Sequence, residues 1–317
     1  MTNPPGPPDS TPARRVGLKV DVDTLRGTLE GVPRLADLLA AQGVPASFYF
    51  SLGPDHTGRA LRRALRPGFL RKVRRTSVMS HYGVRTLLYG TLLPGPHIGK
   101  RAAHVMRAVR DQGFEVGIHC YDHVRWQDRV AGADPEWTRA EFERAVQAFH
   151  AVFGEPPRSH AAAGWQLNAH LLKLEQRAGL AFASDTRGST PFYPRLGAER
   201  GRCVQIPTTL PTFDELIGTD GRDAQAAAQE VLRITRVAPC AMQVFTLHAE
   251  LEGQQLLPQF QWLLRAWREE GCALAALGTL AASLDPGRIP EHQIEWEELP
   301  GRSGVLAVQG RLCADAA

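Results

Sequence analysis

Residues 16–43 read VGLKVDVDTLRGTLEGVPRLADLLAAQG. The first eight form a β-rich run, and residues 32–41 carry apolar side chains at helical spacing up to Gly43. A glycine just past the last periodic residue stops a helix, because it enters the left-handed cap conformation without strain. A second β-rich run follows at 46–51. Strand, helix and strand in that order make one unit of a parallel sheet.

The unit recurs along the chain. Further strands are expected at 115–119, 158–162, 181–185, 203–207, 243–248 and 272–277. Helical patterns lie at 97–110, 135–153, 168–178, 222–235 and 252–270, most of them ended by a glycine. Six to eight such units over about 270 residues favour an α/β barrel over an open sheet. The expected organisation is a disordered N-terminal tail (1–15), a barrel (16–285) interrupted by an insert at 56–110, and a C-terminal extension (286–317).

Composition narrows the function classes. With 43% hydrophobic and 22% charged residues in 317, the chain can bury a core and is not a disordered one. No apolar run reaches the roughly 18 residues of a membrane-spanning helix. The first fifteen residues, with five prolines and no apolar core, read as neither signal peptide nor helix. Five scattered cysteines without a CxxC pair indicate no disulfide framework and no zinc ribbon. A cytoplasmic protein is expected. The net charge of +4 is uneven: thirteen Lys and Arg and not one acid fall between His56 and Arg110, which leaves −9 on the remainder.

In an α/β barrel the chemistry sits where strands end. Those ends carry Asp21 and Asp23, His119 and His123, Asp185, and His248. Asp21 and Asp23 lie two apart and so share one side of a strand. His119 and His123 lie four apart, and on a helix both rings would share a face and reach one ion. Two imidazoles and a carboxylate form a metal triad with open positions. The spare carboxylate then suits a general base acting on water, and His248 an opposing acid.

Taken together, Asp21-Val-Asp23, His119–His123, Gly164-Trp165, Asp185 and Leu247-His248 resemble, in order and spacing, the motifs of the polysaccharide deacetylase (NodB homology) family. The resemblance implies a distorted (β/α)7, TIM-like barrel and metal-dependent amide hydrolysis. Carried over residue by residue, it makes Asp23, His119 and His123 the metal ligands and Asp21 the base. His248 becomes the acid, with Asp185 as its orienting partner. The metal would be a divalent ion, zinc first, with cobalt, nickel and manganese also suited to these ligands. Two departures stand out. The family's adjacent Asp-Asp is spread by Val22, so base and ligand are open to exchange. Its Arg-x-Pro-aromatic segment reads His160-Ala-Ala-Ala-Gly-Trp165, without the arginine that holds the base. His160 is either its substitute or a loop histidine.

The strings GLKVDVDT, EGVPRL, ASFYFSLGPD, SHAAAGW, SDTRG and VFTLHAELEG are similar to one branch of that family. Its members remove the formyl group from 4-deoxy-4-formamido-L-arabinose carried on undecaprenyl phosphate, in aminoarabinose modification of lipid A and polymyxin resistance. In that reading Trp165, Arg187 and His160 are candidate substrate contacts, although Trp165 equally suits a core and Arg187 a salt bridge. A backbone N–H near 161–163 would receive the oxyanion. The basic insert, with Leu61, Leu65 and Phe69 among its arginines, reads as a membrane-surface element in which Arg62, Arg63, Phe69, Arg71 and Arg74 meet anionic lipid. Its aromatics are too sparse for nucleic acid. The expected place is therefore peripheral, on the cytoplasmic face of the inner membrane. A deacetylase of another N-acylated sugar and a non-catalytic lipid-binding barrel are the rival readings.

Overall fold

The computed structural model describes residues 14–64, 84–238 and 240–313. Its strands are β1 (Arg15–Val22), β2 (Ser47–Ser51), β3 (Glu115–Cys120), β4 (Ser159–His160), β5 (Phe182–Ala183), β6 (Tyr193–Leu196), β7 (Glu199–Arg200), β8 (Met242–His248), β9 (Ala273–Ala275), β10 (Glu291–Glu298) and β11 (Val305–Leu312). Seven of them form one sheet in the order β5-β4-β3-β2-β1-β8, with β9 also paired to the start of β1. The pairings within this sheet are parallel.

β1 is central and buried along almost its whole length, as expected of a strand covered on both faces. Its period of two divides the residues. Leu18, Val20 and Val22 join Phe48, Phe50, Phe245 and Leu247 in the main core, together with side chains of the helices Val32–Ala41, Pro135–Phe153 and Leu257–Glu269. Lys19 and Asp21 point the other way, into the barrel, and touch each other there. The helix Pro135–Phe153 shows how the sequence sets its limits. Asp134 accepts from Trp137 N, Pro135 opens the first turn, and Gly154 ends the helix at φ 75°.

The sheet closes irregularly. Between β5 and β8 runs segment 203–210, where a strand is expected from sequence. Ile206 N donates to Ala183 O at 2.7 Å, and Thr209 and Leu210 N both reach Val244 O. Only isolated bridges form, among them Ala183 to Gln205. Pro207 has no N–H to give to a ladder, which keeps this segment from becoming a regular strand. The result is a distorted (β/α)7 barrel.

The C-terminal extension holds a further sheet. β10 and β11 form an antiparallel hairpin that joins β6 and β7 in the order β11-β10-β6-β7. It is stitched to the barrel by Arg187 N to Ala307 O and Gln309 N to Arg187 O. Within the basic insert, the described residues form helices at Thr57–Ala64, Val84–Leu88, Ile98–Arg101 and Ala103–Asp111. Arg62 and Arg63 belong to the first of these. Phe69, Arg71 and Arg74, and residues 1–13 of the expected tail, lie outside the described residues. No helix among the described residues is long and apolar enough to cross a membrane.

The helix Val32–Ala41 meets the barrel without a spare ångström. A Cβ on Gly31 would stand 2.0 Å from the carbonyl oxygen of Ala249, the residue after His248. Gly31→Ala is expected to destabilise the fold by about 1–3 kcal/mol, read as a lowered urea midpoint. Gly132→Ala, where a Cβ meets nothing within 4 Å, should leave that midpoint nearly unchanged. Equal midpoints for the two variants would refute the close packing.

Candidate active site

Three strand ends converge at the carboxyl end of the barrel. Asp21 pairs in register with His248 on β8, and Ala249 N donates to Asp21 O at 3.0 Å. Asp23 follows β1 directly. Its backbone N–H and that of Thr24 donate to Glu250 Oε1 at 3.1 and 2.9 Å, as does the Thr24 hydroxyl at 2.8 Å. The buried Glu250, two residues after His248, therefore fixes the loop that carries Asp23.

His119 and His123 reach Asp23 by a route other than one helix face. His119 is still in β3, while His123 is the first residue of the helix His123–Arg129, capped by Asp122. Asp122 is in turn held by His56 Nδ1 at 2.6 Å. The turn between strand and helix brings the rings to a centroid distance of 5.3 Å. Both Nε2 atoms point at Asp23 Oδ1, at 3.2 and 3.4 Å. Burial alone would push Asp23 up, but positive charge at His123 and His119 would hold it below the ordinary carboxylate range.

A cation fits this donor set. His119 Nδ1 lies 2.6 Å from Ala161 O, and a carbonyl can only accept, so Nδ1 carries the proton. In the neutral ring Nε2 is then a bare lone pair facing a carboxylate oxygen that is itself buried without a hydrogen-bond partner. Two facing acceptors repel unless a positive charge lies between them. The ligand atoms of Asp23, His119 and His123 fall within 4.8 Å of one another.

A second buried group, His160, Glu175 and Asp185, is equally compact but is satisfied differently. His160 Nδ1 lies 2.9 Å from both Glu175 Oε1 and Asp185 Oδ1, so a proton already occupies its centre. The remaining bonds of Asp185 go to Ala162 N at 2.7 Å and to Gln205 Nε2 at 2.8 Å. Two expectations are thereby corrected. His160 is not at a substrate surface, being 1% exposed within this network. Asp185 turns its carboxylate to His160 and Gln205, not to His248. The N–H groups of Ala161 and Ala162 are engaged by Ile118 O and Asp185, so neither can receive an oxyanion.

What stands beside Asp21 is Lys19. Its ammonium is fully buried, 3.4 Å from Asp21 Oδ2 and 3.0 Å from Ser184 O. Burial draws the Lys19 pKa down, opposed by Asp21 and Asp185. The cation at the expected base thus comes from two residues upstream on the same strand. The signal was present in Lys19-Val-Asp21-Val-Asp23, where a period of two puts all three on one side.

Trp165 is the plate on which the site is stacked. It is 2% exposed and donates to Thr208 Oγ1. Lys19, Arg187 and Arg302 lie 5.3, 5.1 and 4.7 Å from its ring centroid, and His248 meets it edge-on at 6.4 Å. Gly164 and Trp165 both have left-handed φ, 64° and 51°; such strain at a non-glycine residue marks a position fixed by its surroundings. Arg187 is buried and bound to Glu215 Oε1 at 2.5 Å and to Leu210 O. It is a structural ion pair and not an open substrate contact. Arg302, from the β10–β11 turn, was not foreseen at all.

The sequence pattern described as Polysaccharide deacetylase matches residues 9–183. The chain belongs to the polysaccharide deacetylase family. A Shewanella sediminis protein named "Probable 4-deoxy-4-formamido-L-arabinose-phosphoundecaprenol deformylase" is 36% identical over 94% of this chain and 95% of its own. A Wigglesworthia glossinidia brevipalpis protein of the same name is 30% identical over 90% and 99%. Among solved structures, a "probable Polysaccharide deacetylase" from Pseudomonas aeruginosa PAO1 superposes with a TM-score of 0.57 at 16% identity, over 88% of this chain and 94% of that one. This member of the polysaccharide deacetylase family is a carbon–nitrogen amide hydrolase.

The His160 network has a measurable consequence. Burial works against a charged His160, but Asp185 and Glu175 outweigh it and hold its pKa up to about 9. A raised folded-state pKa gives stability that is complete below the unfolded value of about 6.5 and is lost as pH rises through about 9. Glu175, pushed well above its ordinary range by burial and Asp185, changes stability in the same direction. His160 alone should account for about 3 kcal/mol of the stability lost between those limits. His160→Gln should flatten that slope in urea unfolding measured across the window. An unchanged slope would place the proton elsewhere.

Proposed function

We propose that this hydrolase removes the N-formyl group from undecaprenyl-phosphate-linked 4-deoxy-4-formamido-L-arabinose, in the aminoarabinose modification of lipid A that confers polymyxin resistance. The supporting observation is the pairing of Asp21 and His248, in register on adjacent strands, beside the Asp23–His119–His123 set. A hydrolysis needs a base, an acid and an electrophile holder close together, and these positions supply them. The substrate rests on the two relatives' names, which both specify a formamido sugar on phosphoundecaprenol.

Asp23, His119 and His123 would hold a divalent cation, zinc by ligand type, which when bound supplies Lewis acidity to an amide carbonyl and acidifies water. Lys19 holds the Asp21 carboxylate, with the charge that the family's missing arginine would bring. Asp21 takes a proton from the attacking water. His248 then donates a proton to the sugar nitrogen as the C–N bond breaks, and formate and the free amine leave.

The membrane half of the reading is supported by the insert. Leu92 is 81% exposed and neighbours Leu93. A groove of about 450 Å³ beside them is lined by Arg85, Tyr89, Leu93, His97 and Arg101. Apolar side chains amid cations suit an anionic bilayer surface, where each nearby Lys or Arg contributes about 1 kcal/mol. A lipid-linked substrate would be met there.

Purified protein with added zinc should lower the mass of the lipid-linked formamido sugar by one formyl group, read by mass spectrometry. Asp21→Asn should slow this about a hundredfold or more while retaining bound metal. Turnover of an N-acetyl analogue with none of the formyl substrate would overturn the assignment in favour of a deacetylase.

The basic insert makes a separate prediction. Replacing Arg62, Arg63, Arg71 and Arg74 by Glu should release the protein from vesicles containing anionic lipid in a flotation assay. Unchanged flotation would remove the insert from membrane binding.

A further inference from the structure

We infer that Asp214, held in place by Arg302 of the C-terminal hairpin, is the positioning residue for His248. This rests on the reading of His248 as the acid.

The ring of His248 has one nitrogen to be oriented and one to act. Nδ1 is buried without a hydrogen-bond partner, and the carboxylate facing it is Asp214 Oδ1 at 4.0 Å. The backbone of His248 is already fixed, its N–H donating to Glu252 Oε2 at 2.7 Å. Ring rotation is therefore the freedom left, and the facing carboxylate, beyond hydrogen-bond reach at 4.0 Å, limits it electrostatically by favouring the rotamer and tautomer that turn an Nδ1 proton toward it. Nε2 is then the nitrogen that exchanges a proton with substrate. Asp185 turns its carboxylate elsewhere, to His160, Ala162 N and Gln205.

Asp214 is itself held. It lies in the short helix Phe213–Leu216, whose capping box joins Thr212 and Glu215. The Thr212 hydroxyl donates to Asp214 Oδ1 at 2.6 Å. Arg302 Nη1 stands 3.1 Å from Asp214 Oδ2, its Nε donates to Glu215 Oε1 at 2.8 Å, and its plane lies over Trp165. A planar fork gripping two carboxylates while stacked on an indole is a task for arginine and not for lysine. Among the described residues, the ionisable groups around His248 include Asp214, with Arg302 behind it, Asp23 after β1, and Glu252 after β8, whose pKa burial raises to about 8. The hairpin that looks like an appendage in the sequence carries part of the acid's support.

The test separates positioning from function. In 15N NMR of the full-length protein, the His248 ring should show a proton on Nδ1. Asp214→Asn and Arg302→Gln should each shift the His248 ring nitrogens, Arg302→Lys should restore them only in part, and Asp185→Asn should leave them in place. Turnover of the lipid-linked formamido sugar should fall about a hundredfold in kcat for Asp214→Asn with little change in KM and undiminished bound metal. His248 signals that ignore Asp214 and Arg302 but follow Asp185 would overturn the proposal. If the ring shifts as described and wild-type protein leaves the formamido sugar intact, the substrate assignment fails and the positioning stands.

Discussion

An imidazole lone pair and a carboxylate oxygen face each other at 3.2 Å in the mouth of this barrel, and much of the site follows from that contact. Two acceptors so placed in a buried setting cost free energy unless a cation lies between them. The fold holds them there from both sides. Ala161 O fixes the His119 ring through Nδ1, and Glu250 fixes the Asp23 loop through two backbone N–H groups. His123 arrives by a separate route, at the first position of a helix that Asp122 caps.

β1 sends Lys19 and Asp21 inward and its valines outward, so one strand provides both the proposed base and its counter-ion. The His160–Glu175–Asp185 network ties β4 and the residues after β5 to the helix Ala169–Arg177. Its strength lies in a shared proton and not in a metal. Trp165 collects the cations of Lys19, Arg187 and Arg302 against its ring. Glu215 and Asp214 balance the two arginines.

Local patterns made the barrel legible in the sequence: glycine stops, alternating runs, and polar residues at strand ends. The same local logic brought Asp21, Asp23, His119, His123 and His248 together. It could not reach contacts made across long separations. Arg302 lies 88 residues from Asp214, and no periodicity links them. The β10–β11 hairpin did carry a signal, since 299–304 reads LPGRSG between two strand-like runs, but the prolines before it obscured that pattern. His160 failed for another reason. A polar residue at a strand end reads as accessible, whereas here Glu175 and Asp185 supply partners that make full burial tolerable. Segment 203–207 has strand composition, and its proline limits it to isolated bridges.

The central claim is that Asp23, His119 and His123 form a cation site while His160, Glu175 and Asp185 do not. The most direct measurement is zinc binding by calorimetry with elemental analysis, on the wild-type chain and on His119→Ala and Glu175→Gln. The account predicts one equivalent of zinc in wild type, the same in Glu175→Gln, and loss of that equivalent in His119→Ala with the fold retained. A full equivalent retained by His119→Ala, or lost only in Glu175→Gln, would contradict it.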